Sequence, residues 1–230
     1  MKRIWFWGVL FGFGCFVSHA QRHELGVIAG GVNYIGEIGD TQYFNPKHLG
    51  YGLIYKRNLT QRIALRAQFS TGKFSANDTY ATDLDRLARG LNFTNTYTAW
   101  GVGVEVNYID LPIGDFGTSW TPYLHAGMQR MVVNDLYFTT FENTAFSHGK
   151  NMTISIPFGV GFKLNLGQYW VIAVEVQPQF TFSDNLDGSF PDTGKQPSAR
   201  KFSTSLSSDW LVFTGISLTY AFGKLPCCRD

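Results

Sequence analysis

The sequence predicts an all-β protein, an eight-stranded antiparallel transmembrane β-barrel of the outer-membrane type with a packed lumen. Three observations predict it. Apolar residues alternate with small or polar ones over segments of about 10–14 residues, longer than the usual strand of about 5–6 residues. Only 16% of the 230 residues are charged, whereas glycine (25 copies) and aromatic residues (16%) are frequent. Long and short connections alternate along the chain, which is typical of outer-membrane barrels.

The first twenty residues, 1–20, predict a signal peptide. Two basic residues precede an apolar run over 4–17, which is too short for a membrane-spanning helix of about 20 residues. A Ser-His-Ala sequence then predicts cleavage between Ala20 and Gln21. The alternative is a lipoprotein cleavage at Cys15, which lacks an aliphatic residue three positions before it.

Segments of alternating hydrophobicity predict the strands. In the clearest one, Ile154 and Phe158 lie on one face of an extended chain, and Gly159 and Lys163 lie on the other. No later run reaches the 18 apolar residues that indicate a transmembrane helix. The eight predicted strands are 23–34, 48–57, 62–74, 97–108, 121–133, 152–166, 169–182 and 210–222.

The connections between these segments predict the orientation of the barrel. Outer-membrane barrels carry long loops outside the cell and short turns in the periplasm. With an even number of strands, both termini of the barrel domain, 21–222, are then expected in the periplasm, and the protein in the outer membrane of a Gram-negative cell. The long connections are predicted at 35–47, 75–96, 134–150 and 183–208, and the short ones at 58–61, 109–120 and 167–168.

The second face of each strand favours a membrane barrel over a soluble sandwich or a lipocalin-like barrel. A soluble sheet turns many Lys and Glu side chains to water, whereas this face is mostly Gly, Ser, Asn and Gln. Such residues suit the lumen of a narrow barrel, where the few charges must be paired. His125 is expected beside these charges. The predicted lumen charge network consists of Lys56, Arg66, Glu105, Lys163 and Glu175.

Aromatic residues stand near the ends of the apolar faces. Trp100 and Tyr108 flank one such face, and Trp210 and Tyr220 flank another. Amphipathic rings are enriched where a lipid-facing band meets the head groups of the bilayer. The apolar faces are therefore predicted to contact outer-membrane lipid.

The sequence predicts no catalytic, cofactor or metal site. The net charge of +2 does not favour binding to nucleic acid. Ser147 and His148 with a loop carboxylate could form a lipid hydrolase, but adjacent residues of an extended chain point apart. Asp184 and Asp187 lack the spacing of a calcium-binding loop.

The C-terminal segment, 223–230, is predicted to be a periplasmic tail that contains Cys227 and Cys228. The periplasm is oxidising, so a disulfide is chemically accessible there. Adjacent Cα atoms are about 3.8 Å apart, which is shorter than the roughly 4.4–6.8 Å of an unstrained disulfide. The sequence leaves two alternatives: an intermolecular disulfide to a periplasmic partner, or a free or strained pair without a role.

Several stretches of the sequence also resemble the PorG family, and together they extend over about 21–222. The ISIPFGVGFK and DWLVFTGISL sequences, in this order, are the most specific of them. The matching stretches are HELGVIAGGVNYIGEIGD (23–40), ALRAQFSTGKFSAND (64–78), TPYLHAGM (121–128), ISIPFGVGFKLNL (154–166) and SDWLVFTGISLTYAF (208–222).

The resemblance implies a function in protein transport. PorG-like proteins are outer-membrane components of the type IX secretion system of Bacteroidota. The resemblance therefore implies a non-enzymatic protein that anchors or organises a periplasmic ring built from the lipoprotein PorK and its partner PorN, together with other secretion-system components. It supplies no catalytic motif and does not explain the two C-terminal cysteines. Two alternatives stay open: a passive structural or adhesive barrel whose outer loops bind a ligand, and a surface enzyme that modifies lipid.

Overall fold

The computed structural model describes residues 22–40, 42, 44–113, 117–191, 199–202 and 208–223. The predicted signal peptide, its cleavage site and the C-terminal cysteines lie outside these residues. The described residues form nine strands: β1 (Arg22–Ile35), β2 (His48–Asn58), β3 (Ile63–Asn77), β4 (Asn92–Asn107), β5 (Ser119–Thr139), β6 (Phe146–Leu166), β7 (Trp170–Thr181), β8 (Ala199–Arg200) and β9 (Trp210–Phe222). A 3₁₀ turn (Asp78–Tyr80) and a short helix, α1 (Leu84–Arg89), follow β3.

Eight of the strands close into an antiparallel barrel. The order around it is β4-β3-β2-β1-β9-β7-β6-β5, and pairing between β4 and β5 completes the ring. The two-residue strand β8 is not part of the ring, since it pairs only with the end of β5. The predicted fold class, an eight-stranded antiparallel barrel, is confirmed.

The strand register fixes the geometry of the barrel. A row of paired residues that leaves β1 at Leu25 returns to β1 at Ile35, ten residues further along. This stagger requires strands that are inclined to the barrel axis, by about 35–45° in barrels of this kind. A barrel of eight strands is just wide enough for side chains to fill its interior.

Burial of the side chains is inverted relative to a soluble protein. On β4, Val102 is 69% exposed, while Glu105 is fully buried. On β6, Phe158 and Val160 face outwards, and Lys163 is 1% exposed. The alternation therefore places apolar side chains on the outer surface and polar ones in the lumen. An apolar outer band and a polar interior are the arrangement of a transmembrane barrel.

Two ends of the barrel are distinguished below. The near end is where β1 begins and β9 ends, and its connections are 59–62, 108–118 and 167–169. The loop end is the opposite one, and its connections are 36–47, 78–91, 140–145 and 182–209. Among the described residues, no helix has the length and apolar character needed to cross a membrane.

The predicted loops at 75–96 and 134–150 were wrong in extent. Strands β3 and β4 continue to Asn77 and start at Asn92, and β5 and β6 are each 21 residues long and leave only 140–145 between them. These strand extensions pass beyond the apolar outer band, so lipid no longer selects apolar residues on their outer face. The alternation on which the prediction depended is consequently lost there.

The lumen near the loop end contains an apolar layer that the sequence analysis did not predict. Phe74, Phe93 and Phe213 point inwards and are at most 2% exposed. Tyr34 and Phe93 pack edge to face with ring centroids 5.0 Å apart. The lumen is thus polar towards the near end and apolar towards the loop end.

Candidate functional site

Glu105 on β4 is the centre of the lumen charge network. Its carboxylate lies 3.1 Å from Lys56 Nζ and 3.3 Å from Arg66 Nη1, and it also pairs with Lys163. Lys163 Nζ donates a second hydrogen bond of 2.9 Å to Asn107 Oδ1. Alternation brings these side chains together, because each one occupies an inward position of its strand.

Glu175 on β7 is the second carboxylate of the network. Arg66 binds it with two donors, at 2.6 Å to Oε1 and 2.8 Å to Oε2. Tyr123 donates a 2.5 Å hydrogen bond to the same carboxylate. The structure therefore brings together all five residues of the predicted network: Lys56, Arg66, Glu105, Lys163 and Glu175.

Sequence reasoning missed a third acidic residue of the lumen, Glu24. It is 1% exposed and accepts 2.7 Å hydrogen bonds from Asn58 Nδ2 and Thr219 Oγ1. It lies directly opposite Lys56 in the register of β1 and β2. Its alternating position on the first strand was the signal that could have identified it. With Glu24, three acidic residues match the three basic ones, which buried charges require.

Two glycines of β6 make room for this network. A Cβ on Gly161 would lie 2.5 Å from ring atoms of Tyr123, and one on Gly159 would lie 2.5 Å from Nε2 of His125. His125 is buried in the lumen, as predicted, and its ring stacks on that of Tyr123. The Gly-x-Gly-x-Lys spacing that ends at Lys163 is therefore explained by packing of the lumen.

Among the described residues, side chains close both ends of the lumen, while a cavity of about 860 Å³ is lined in part by Asn107, Tyr123 and Glu175. At the near end, the turn after β4 folds across the opening, buries Leu111, and is held by a 3.2 Å bond from Asn165 to Pro112 O. A cavity of about 20 Å³ beside Arg66 and His125 has room for one water molecule. The apolar layer closes the loop end. Among the described residues, paired charges therefore occupy the part of the lumen towards the near end, and apolar side chains occupy the part towards the loop end.

A second polar cluster, the acidic cluster, lies at the loop end and consists of Glu37, Asp187 and Asp209. Its carboxylate oxygens lie within 4.8 Å of one another. The Tyr34 hydroxyl lies 2.9 Å from Asp187 Oδ2 and 2.5 Å from Asp209 Oδ1. Backbone N–H groups add to the site, since Ser189 donates to Asp187 and Leu186 donates to Asp209. The residues come from three distant segments, so no local spacing revealed them.

Burial changes the protonation of this cluster. It raises the pKa of Asp187 to about 6, and the hydrogen bonds to Ser189 only partly oppose this effect. Burial and the negative charge of Asp187 raise the pKa of Asp209 well above its usual value. Both carboxyl groups therefore keep their protons to a higher pH than exposed aspartates do.

The geometry does not assemble the lipid-hydrolase alternative. Ser147 and His148 are exposed neighbours on β6, and the Ser147 hydroxyl is 3.5 Å from Gly149 O. The ring of His148 contacts the edge of Tyr137. Of the loop acids, Asp78 is buried in an ion pair with Arg89. A nucleophile, a base and an orienting acid are thus not brought together among these residues.

The apolar band and the paired lumen charges together define the class of this protein. The outward rings of Trp100, Tyr108 and Tyr220 stand at the borders of the band and are 41%, 80% and 42% exposed. In lipid, a closed barrel satisfies every strand hydrogen bond without leaving an edge. The protein is a small β-barrel of the outer-membrane type. The chain belongs to the DUF6089 family, described as a domain of unknown function, whose sequence profile matches residues 3–230.

Solved structures similar to this chain include three bacterial outer-membrane proteins. The N-terminal β-barrel domain of Pseudomonas aeruginosa OprF is 12% identical, with 86% of this chain and 97% of that chain covered and a TM-score of 0.44. Ail, the attachment invasion locus protein of Yersinia pestis, is 11% identical, with 89% and 99% covered and a TM-score of 0.41. Neisserial surface protein A is 8% identical, with 87% and 97% covered and a TM-score of 0.48. No curated protein sequence matches the chain.

Proposed function

We propose that this protein is a non-enzymatic outer-membrane component of the type IX secretion machinery and that it anchors or organises a periplasmic ring of the PorK/PorN type. The sequence resemblance over 21–222 supports the assignment to this secretion system. The paired charges in the lumen support an anchoring role. A barrel whose interior is filled with paired charges does not conduct folded cargo. The function then depends on surfaces at its two ends.

The proposal assigns the near end to the periplasm, where a ring would bind. The turns of this end expose polar groups that are suited to a protein partner. Arg62 and Asp110 form an ion pair there, with side chains that are 60% and 53% exposed. The predicted tail with Cys227 and Cys228 would extend from the same end, since β9 finishes there. An intermolecular disulfide from this tail stays a prediction.

A deletion strain tests the proposal most simply. Loss of the gene should stop bulk protein secretion, and the wild-type chain should restore it. Reversing the charge of the near-end turn with Asp110→Arg should weaken co-purification of the ring proteins. Glu142→Arg at the loop end is the matched control and should leave co-purification unchanged. Normal secretion by the deletion strain would refute the proposal.

The tail needs a separate experiment. Membranes should be analysed on gels with and without reductant for the wild type and for Cys227→Ser and Cys228→Ser variants. The expected result is a reducible adduct of high mass that one or both variants lose. Absence of such an adduct in the wild type would leave the ring proposal without a covalent link.

A passive adhesive barrel is the second candidate, and exposed apolar residues at the loop end favour it. Phe44, Tyr80, Leu84 and Phe141 are 66%, 72%, 78% and 96% exposed. Apolar side chains that remain exposed on loops indicate binding surfaces. The deletion strain separates the two candidates: intact secretion with lost adhesion supports the adhesive barrel.

A further inference from the structure

The acidic cluster at the loop end is held in place by the loop that follows β1. Arg86 donates to Gly36 O at 3.1 Å and to Gly39 O at 2.7 Å, and Arg89 donates to Glu37 O at 2.7 Å. These two bonded arginines fix the backbone on both sides of Glu37. A Cβ on Gly36 would lie 1.9 Å from the Tyr34 hydroxyl, so the loop passes directly over the cluster. These contacts therefore fix the position of the Glu37 backbone above the cluster.

The Glu37 carboxylate lacks a partner. Both of its oxygens are buried, and neither accepts a hydrogen bond within the part of the chain that the structure describes. The guanidinium groups of Arg86 and Arg89 are directed to backbone carbonyls and to Asp78. A buried carboxylate without a hydrogen bond is costly, and either a proton or a bound cation relieves this cost.

The contacts of Tyr34 also indicate that the cluster has too few protons for its oxygen atoms. The Tyr34 hydroxyl lies within hydrogen-bond distance of Asp187 and Asp209, but it has only one proton to donate. The tyrosine proton can therefore lie between Tyr34 and only one of the two aspartates at a time. A cation that contacts both carboxylates would remove this repulsion, together with that of Glu37.

We propose that Glu37, Asp187 and Asp209 bind one calcium ion at the loop end of the barrel. The candidate ligands are all oxygen atoms, which Ca²⁺ prefers, whereas zinc favours nitrogen and sulfur. Calcium–oxygen distances are about 2.3–2.6 Å, so oxygens on opposite sides of one ion are separated by about 4.6–5.2 Å. Each of the three residues offers one oxygen within 4.8 Å of the other two, a separation that a single ion can span.

The ion would add a link between the first loop and the last connection, which already meet through the hydrogen bonds of Tyr34 with Asp187 and Asp209. Glu37 belongs to the first loop, and Asp187 and Asp209 both belong to the last connection, 182–209. The Glu37 residue is partly exposed, although its carboxylate oxygens and both aspartates are buried. Bound calcium would therefore order the first and last loops against each other. This inference does not depend on the secretion proposal.

Terbium luminescence on the purified full-length protein in detergent tests the site, because Tb³⁺ binds calcium sites and Tyr34 would sensitise it. After treatment with EDTA, the protein should bind one Tb³⁺, and Ca²⁺ should displace it more effectively than Mg²⁺. Glu37→Gln should weaken Ca²⁺ binding by at least about tenfold. Glu142→Gln, which removes an exposed loop carboxylate outside the cluster, should bind like the wild type.

Two outcomes would overturn the proposal. The first is the absence of saturable Ca²⁺ binding up to about 10 mM, beyond the affinity range of weak extracellular sites. The second is equal Ca²⁺ affinity of the wild type and Glu37→Gln. Gels that separate folded from heat-denatured barrels should show that each variant folds. Asp187→Asn, whose amide oxygen still accepts the bond from Ser189, provides a second test if Glu37→Gln fails to fold.

Discussion

Removal of the Glu105 charge should reveal how strongly the lumen network stabilises the barrel. In a Glu105→Gln variant, Lys56 loses its carboxylate partner and the lumen gains a net positive charge. Arg66 keeps Glu175, and Lys163 keeps its bond to Asn107. Leaving a buried charge unpaired costs about 3–5 kcal/mol. The free energy of unfolding should fall by this amount.

Urea unfolding in lipid vesicles, followed by tryptophan fluorescence, measures this change. A second variant, Glu105→Gln with Lys56→Met, restores neutrality and should recover a large part of the lost stability, which a double-mutant cycle quantifies. Asp110→Asn is the control, because its ion pair with Arg62 is exposed, and its stability should match the wild type. A decrease in the free energy of unfolding below about 1 kcal/mol in Glu105→Gln would refute the reasoning, since a buried unpaired lysine should cost more than this.

Three further predictions concern the lumen, the lipid-facing surface and the loop end. Gly161→Val should destabilise the barrel by about 1–3 kcal/mol, because its Cβ would collide with Tyr123, whereas Gly149→Ala meets open space and should be neutral in the same urea assay. Val102→Arg should cost about 2–4 kcal/mol in vesicles if it lies at the bilayer midplane; a change within about 0.5 kcal/mol would indicate an aqueous surface. The folded-state pKa of Asp187 is raised to about 6, so its protonated form contributes stability at pH 4 that is lost as the pH rises through 6. In EDTA, proteolysis of the loop 182–191 should therefore increase between pH 4 and pH 7, and Asp187→Asn should reduce this dependence; equal pH profiles would contradict it.

Strands inside the apolar band were predictable from sequence because two environments act on one chain. Lipid selects Phe158 and Val160 on one face of β6, while the crowded lumen selects Gly159 and Lys163 on the other. The alternation between lipid-facing and lumen-facing side chains is therefore visible in the sequence. The same logic identified the five charges of the lumen, because each one stands out among small neutral neighbours.

The remaining features depend on contacts between distant segments. Phe74 and Phe93 face inwards where the lumen becomes apolar, so the rule that apolar residues face lipid does not apply to them. The acidic cluster joins Glu37 to residues that are 150 or more positions away, and its spacing has no local signature. Glu24 was overlooked although its inward position follows the alternation of the first strand, and its partners Asn58 and Thr219 lie on the two strands that flank β1.

The contact of the outer band with acyl chains is tested most directly by spin labels on one strand. Val102→Cys and Thr94→Cys are both on the outward face of β4, with Val102 in the apolar band and Thr94 towards the loop end. In vesicles, in a background without the native cysteines, a label at 102 should be accessible to oxygen and protected from a water-soluble nickel complex. A label at 94 should show the opposite. Equal exposure of both labels to the nickel complex would contradict a membrane-spanning barrel.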